Sequence, residues 1–333
     1  MTASNRVLII KLGALGDVIM ATAFLDRIRA AHAGDEIDVL TSPPYADIFR
    51  RFEGLRVRAV PRHGLLNALR TVFWMRGRRF RRLYDLQSSD RTAILCALSG
   101  VPERVGNLPH YPYTHHPADR YTGQCHIFER MQAVLAAAGL PADDRRPSLP
   151  CLPAERDHVR QWLRDHRLLG RSYAVMHAGS SPQWPAKRWP YYPALAYALS
   201  RRGIETVWAG ARPDAALNTQ LTAQTGVDAT NEFNFAELAE LGRQARFAVT
   251  NDSGPMHILA AAGIPVYAFF GPTSWWRSHA VGQRGRVLYN PSPCQACGRA
   301  DRATAVDHTC LPGIMVDEVL QRLQQEKLCP EVS

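Results

Sequence analysis

Apolar and polar positions alternate in blocks that change period along the chain. Val7-Leu8-Ile9-Ile10 is a short apolar run within Arg6 to Leu12, and Gly13 stops it. From Asp17 through Ala31 the apolar residues take helical spacing, and Ile37 to Leu40 returns to a compact run. A strand, a turn, a helix and a second strand are the predicted opening, a βαβ unit. Further strands are expected at Val57 to Val60 and Leu83 to Leu86, with helices at Leu65 to Arg82, Thr92 to Leu98 and Ile127 to Ala138.

Periodicity fades between Pro141 and Pro153, where Pro, Asp and Arg accumulate, and a bridging helix is expected from Glu155 to His166. The pattern then restarts. Strands are predicted at Tyr173 to His177, Ile204 to Trp208, Phe247 to Thr250 and Val266 to Phe270. Helices are predicted at Tyr191 to Arg202, Ala215 to Thr225, Phe235 to Arg243 and Met256 to Ala262. The expected architecture is α/β, two Rossmann-like doubly wound domains facing a central cleft. Their bounds are set at 1–150 and 171–315, with a linker at 151–170 and a C-terminal helix in 316–333.

At 333 residues the chain exceeds what one hydrophobic core usually organises, which agrees with two domains. No apolar stretch approaches the roughly twenty residues of a membrane span, and the N-terminus enters Arg6-Val7-Leu8 without a signal-peptide pattern. A cytoplasmic protein is expected. Cys96, Cys125, Cys151 and Cys329 are scattered, unlike a secreted disulfide framework. Cys294, Cys297 and Cys310 cluster with His308 and form a weak zinc candidate, because the closing H-x-C spacing is cramped.

The net charge is +10, and Arg50 to Arg82 alone holds eleven arginines against one acid, Glu53. With Phe73, Trp74, Met75 and Phe80 among them, these cations suit an anionic membrane surface, an acidic glycolipid or nucleic acid. A solvated basic helix face is the plainer reading.

Only three of the forty basic residues are lysines, and two of them, Lys11 and Lys187, stand where a predicted strand runs into a turn. Lysine presents a compact ammonium that approaches a phosphate oxygen as a point charge. In open α/β sheets ligands gather at the carboxyl ends of strands, so three turns carry the candidate chemistry. The first is Lys11-Leu-Gly-Ala-Leu-Gly-Asp17, where Gly13 and Gly16 permit a tight turn and Asp17 enters the first turn of a helix, as cap or as functional carboxylate. A dinucleotide site fits poorly, since a third glycine is missing and no acid ends the second strand.

The second turn runs from His177 to Pro190, where Ser180, Ser181, backbone amides and Lys187 can hold a phosphate. The third is Thr250-Asn-Asp-Ser-Gly-Pro-Met-His257, with Ser253 or Gly254 as N-cap and Pro255 in the first helical turn. Its helix N-terminus suits anions, and Asp252 suits neutral hydroxyls. Capping and core packing are the plainer roles for Asp252 and His257.

Together these segments resemble glycosyltransferase family 9, the bacterial lipopolysaccharide heptosyltransferases. K-x-x-x-x-G-D-x-x-x-x-T resembles Lys11 to Thr22, A-K-R-W-P resembles Ala186 to Pro190, and N-D-S-G-P-x-H with F-G-P-T resembles Asn251 to His257 and Phe270 to Thr273. The resemblance implies a GT-B fold, an ADP-heptose donor on the C-terminal domain, and a lipid-linked inner-core sugar, an anionic glycolipid, as acceptor on the N-terminal domain. It implies an inverting transfer with Asp17 as base, and donor or phosphate contacts from Lys187, Ser180, Ser181, Asp252, Ser253, Gly254, Met256, His257 and Thr273. Adenosine contacts would come from Gly210 to Asp214 and the Thr230 to Phe235 loop. Lys11, Gly16 and Arg62 are acceptor-side candidates, and the C-terminal helix, Val316 to Lys327, would return to the first domain.

No D-x-D pair of the kind that holds a diphosphate through a divalent ion accompanies these motifs, so no metal and no cofactor beyond the ADP-sugar substrate are expected. A peripheral position on the inner face of the cytoplasmic membrane follows from the acceptor. Another GT-B nucleotide-sugar transferase or an epimerase would use the same fold. A nucleic-acid-binding protein would explain the basic stretch but leaves the turn motifs unused.

Overall fold

The computed structural model describes residues 5–121, 124–291, 296–298 and 309–331. Two compact units divide the chain, Met1–Pro150 and Cys151–Ser333.

In the first unit, five parallel strands form one sheet: β1 (Arg6–Ile10), β2 (Glu36–Thr41), β3 (Leu55–Ala59), β4 (Arg82–Asp85) and β5 (Glu103–Val105). Their order is β3-β2-β1-β4-β5, so the winding reverses between β1 and β4. Parallel strands covered by helices on both faces need apolar residues at nearly every position. Val7, Leu8, Ile9 and Ile10 are all buried, and Leu8 and Ile10 pack with Leu40, Leu83, Met75 and Phe80. Each such side chain withdrawn from water contributes roughly 1.5–3 kcal/mol.

The predicted helix from Asp17 to Ala31 is interrupted. Helices Leu15–Ala21 and Leu25–Ala31 flank a 3-10 turn at Thr22–Phe24. Thr22 causes the break through its hydroxyl, which donates to Ile19 O at 2.7 Å and accepts the Ser148 amide at 3.0 Å. The helix expected over Leu65 to Arg82 stops at Arg78, where Arg79 adopts φ 52° and turns the chain into β4.

Six parallel strands form the second sheet: β6 (Tyr173–His177), β7 (Glu205–Gly210), β8 (Val227–Thr230), β9 (Phe247–Asn251), β10 (Val266–Phe269) and β11 (Val287–Leu288). The order β11-β10-β9-β6-β7-β8 reverses between β6 and β9, the counterpart of the reversal in the first sheet. Alternate residues of each strand serve opposite faces. Met176, Trp208, Val249 and Phe269 enter one core cluster, while Val175, Val207, Ala248 and Ala268 enter the other.

Two segments at the expected domain bounds pack within the second unit. Residues 151–170 are not only a connection, because the helix Pro153–Asp165 puts Val159, Trp162 and Leu163 into the second unit's core. The helix Val316–Gln325, expected to return to the first unit, packs Val319, Leu320 and Leu323 into the core of the second. Its apolar stripe matches the face of the sheet that carries Phe247, Tyr267 and Phe269.

Of the basic stretch, part is neutralised locally. Arg51 pairs with Asp47, Arg56 with Glu36, Arg78 with Glu36 and Asp38, and Arg81 and Arg82 with Glu103. The excess charge assigned to Arg50 to Arg82 is therefore smaller than its composition suggests. Among the described residues no helix is long and apolar enough to cross a membrane.

Candidate active site

Both strand-order reversals carry the motif turns, and in each unit side chains bind across the reversal. In the first, β1 runs into Lys11, whose side chain is fully buried. Its ammonium donates to Leu86 O at 3.2 Å and faces Asp17 Oδ2 at 3.4 Å. Burial lowers the proton affinity of this ammonium, and the negative charge of Asp17 opposes the shift. Lys11 thus lies beneath the turn, where it supports Asp17 rather than presenting itself to an acceptor.

Gln87, two residues past the end of β4, completes the turn. Its Oε1 accepts the amides of Leu12 at 3.0 Å and Gly13 at 3.1 Å. Gln87 is set in turn by Asp85, which is buried and accepts the amides of Gln87 and Ser88, both at 3.0 Å, and the Tyr113 hydroxyl at 2.5 Å. Burial raises the Asp85 pKa, opposed by these donors. From the other side Ser42 Oγ donates to Leu12 O at 2.5 Å.

Gly13 has φ +140°, and a Cβ there would sit 2.7 Å from the Tyr45 ring and 3.3 Å from the Arg62 guanidinium. Only glycine tolerates that backbone and that closeness. The same observation brings Arg62, an exposed side chain, to the edge of the turn. Gly16 is buried in the first helical turn beside Asp17, whose carboxylate keeps 21% exposure.

In the second unit Lys187 reaches from the β6 loop to the end of β9, where Nζ lies 2.7 Å from Asp252 Oδ2. Thr273 Oγ1 donates to the same oxygen at 2.7 Å. The ammonium also lies over the Trp184 ring, 5.2 Å from its centroid. Asn251 ties the two loops from below. Its Nδ2 donates to Ala178 O and Gly179 O at 2.9 and 3.0 Å, and its Oδ1 accepts from Trp189 N and Tyr192 Oη at 3.1 and 3.3 Å.

Ser253 precedes the helix Gly254–Ala261 but does not cap it. Its hydroxyl donates to Asn251 O at 3.2 Å and meets His177 Nδ1 at 3.1 Å, while His177 Nε2 faces Asp214 Oδ2 at 3.7 Å. Burial pulls the Asp214 carboxyl up, yet attraction from His177 and the Ala211 amide, with the charge of Arg188, holds it below its ordinary value. Pro255 has no N–H, so the amides of Gly254 and Met256 remain as first-turn donors without a side-chain cap.

The remaining candidates divide. Ser180 is buried and turned inward, its hydroxyl donating to Trp184 O at 2.9 Å and accepting from Arg188 Nε at 3.2 Å. Ser181 is exposed at the loop tip. The Met256 side chain belongs to the core, which leaves only its backbone for a ligand, and His257 is buried. Cys297 is exposed and Cys310 buried, while Cys294 and His308 lie outside the described residues.

Sequence reasoning missed Gln87, Asp85, Asn251 and the pairing of His177 with Asp214. Asn251 was within reach, since it ends a buried strand where an unpaired amide would be costly. Gln87 was not, because its partners lie 74 and 75 residues away.

Two parallel sheets whose winding reverses in the middle, each with a polar turn pinned across the reversal, define a protein of two doubly wound α/β units. The chain belongs to glycosyltransferase family 9 (heptosyltransferase), whose sequence model matches residues 70–305. Lipopolysaccharide heptosyltransferase 2 of Escherichia coli (strain K12) is 24% identical over 350 residues, covering 96% of this chain and 97% of that protein. The glycosyl transferase family 9 structure from Veillonella parvula matches with a TM-score of 0.79 at 21% identity, covering 98% of each chain. The E. coli ADP-heptose lps heptosyltransferase II structure matches with a TM-score of 0.71 at 23% identity, covering 97% of this chain and 99% of that one. These likenesses establish a shared fold, the α/β arrangement of two Rossmann-like units expected from the motifs.

Proposed function

We propose that this protein moves a heptose from ADP-heptose to the inner core of lipopolysaccharide, on a lipid A-Kdo or heptose acceptor, with inversion at the anomeric carbon. The observation that carries the reading is Asp17: a partly exposed carboxylate in the first turn of a helix, held over a buried ammonium, in a chain whose relatives are named as heptosyltransferases.

In the proposed step Asp17 accepts the proton of an acceptor hydroxyl as that oxygen bonds to the anomeric carbon. The bond from that carbon to the β-phosphate oxygen breaks, and its electron pair leaves with ADP. The Lys11 ammonium, 3.4 Å from Oδ2, holds the carboxylate in place. On the donor side, the leaving diphosphate is met by the Lys187 ammonium and the amides of Gly254 and Met256. Asp252 has one oxygen occupied by Lys187 and Thr273, which leaves Oδ1 to accept from a sugar hydroxyl.

These groups neutralise the leaving group with no divalent ion in the scheme, and rates unchanged by a chelator are the expected outcome. The acceptor places the enzyme at the inner face of the cytoplasmic membrane as a peripheral protein. Incubation with ADP-heptose and other nucleotide sugars, with and without a Kdo-bearing acceptor, tests the whole reading. ADP release must require the acceptor and prefer the heptose donor, and the product anomer must be inverted. Acceptor-independent release would refute transfer.

A further inference from the structure

The helix Leu65–Arg78 turns its apolar side outward. Thr71, Val72 and Met75 face the core, yet Leu65 is 76% exposed, Leu66 69%, Leu69 42% and Phe73 68%. At 3.6 residues per turn these four fall within about 100° of arc, so they form one stripe rather than scattered exposures. Exposed apolar residues standing singly are ordinary, but a stripe of four large ones along a helix marks a binding surface. Helix Asp90–Leu98 packs beside it and exposes Ile94 and Leu98, and Arg76 Nε donates to Leu98 O at 2.8 Å between the two rows.

The charge of the segment that carries the stripe has one sign. From Gly54 to Tyr84 the sequence contains nine arginines and no Asp or Glu. Arg56, Arg78, Arg81 and Arg82 are taken up by Glu36, Asp38 and Glu103. Among the described residues no ion pair engages Arg58, Arg62, Arg70, Arg76 or Arg79. Arg76 stands within the exposed arc and Arg70 at its edge, and Arg58 caps the Trp74 ring at 4.6 Å.

We propose that this face is a membrane-docking surface that lays the Leu65–Arg78 helix in the interface of an anionic phospholipid bilayer. Leucine and phenylalanine side chains enter the acyl boundary while arginines pair with headgroup phosphates, a combination that meets both features at once. A second copy of the chain is a poorer occupant, because facing two such surfaces opposes arginines with no acid in the segment to offset them. The inference gives the proposed lipid-borne acceptor a site of delivery and rests on that reading only for its purpose.

The test is co-sedimentation of the full chain with vesicles of phosphatidylcholine alone and of phosphatidylcholine mixed with phosphatidylglycerol, without sugar nucleotide. Binding is expected to the mixed vesicles, to fall with added salt, and to weaken at least about ten-fold in Leu66→Ser/Phe73→Ser. Arg70→Gln/Arg76→Gln is expected to lose binding and most of the salt dependence. Both double variants should keep the parent's melting temperature and its rate on a lipid-free Kdo-bearing saccharide, which separates docking from transfer. Absence of vesicle binding by the parent, equal binding by Leu66→Ser/Phe73→Ser, or a solution dimer abolished by that variant would each overturn the proposal.

Discussion

Lys11 Nζ lies 3.4 Å from Asp17 Oδ2, and the lysine side chain is wholly out of solvent while the aspartate is not. Burial lowers the proton affinity of the ammonium and the carboxylate beside it opposes that shift, so the two form one unit of which only the acidic half reaches solvent. Asp17→Asn is therefore expected to abolish turnover, at least about a thousand-fold in kcat, while ADP affinity stays within a few-fold by calorimetry. Parallel loss of ADP binding would remove Asp17 from the role of base.

The proposed donor cluster makes a different forecast. Lys187 and Thr273 converge on one oxygen of Asp252, so removing either charge leaves the other half-buried without its counter-ion. Lys187→Ala and Asp252→Asn should each weaken donor binding and slow turnover. In a double-mutant cycle their coupling should reach about 1–3 kcal/mol. Additive effects would separate the two residues functionally.

Gln87 is expected to matter without touching any substrate. Gln87→Ala leaves the Leu12 and Gly13 amides without their acceptor, a cost of about 1–3 kcal/mol that falls on the geometry of the Asp17 turn. The kcat should drop about ten-fold or more while the KM for the nucleotide sugar is unchanged. A rise in that KM with kcat intact would show that the turn is not what Gln87 holds.

Stability in acid should depend on Asp214. Its folded-state pKa lies below the unfolded value, so on acidification the unfolded chain takes up the proton first. The contribution is present above the ordinary carboxylate range and is lost as pH falls through the depressed value. Asp214→Asn should melt lower than the parent at neutral pH, and the difference should shrink toward pH 3. A difference that holds constant across that range would exclude the linkage.

Sequence periodicity located the long buried strands and the turns that follow them, because parallel strands covered on both faces must be apolar throughout. It passed over β5, β8 and β11, which are two to four residues long, with Glu103 and Arg104 within β5 and Asp228 within β8. A three-residue edge strand has too few positions to show a period. The same limit applied at the site. Lys11, Asp17, Lys187 and Asp252 stood out by residue type at a strand end, whereas Gln87 and Asp85 act through partners that only the pairing of β1 with β4 brings near. The outward stripe of Leu65, Leu66, Leu69 and Phe73 was equally hidden, since an apolar face reads the same whether it points into a core or away from it.

Asn251 has two donors and two acceptor sites, and all four are engaged. A side chain with no capacity left cannot be drawn away by a ligand, so the floor under the loops after β6 and β9 is the same for every ligand offered. Ser181, Pro182 and Gln183 at the surface above it carry no such constraint. For the proposed donor site the chain supplies a fixed chassis and an exchangeable tip: libraries aimed at sugar preference belong at 181–183, and position 251 is the one to leave untouched.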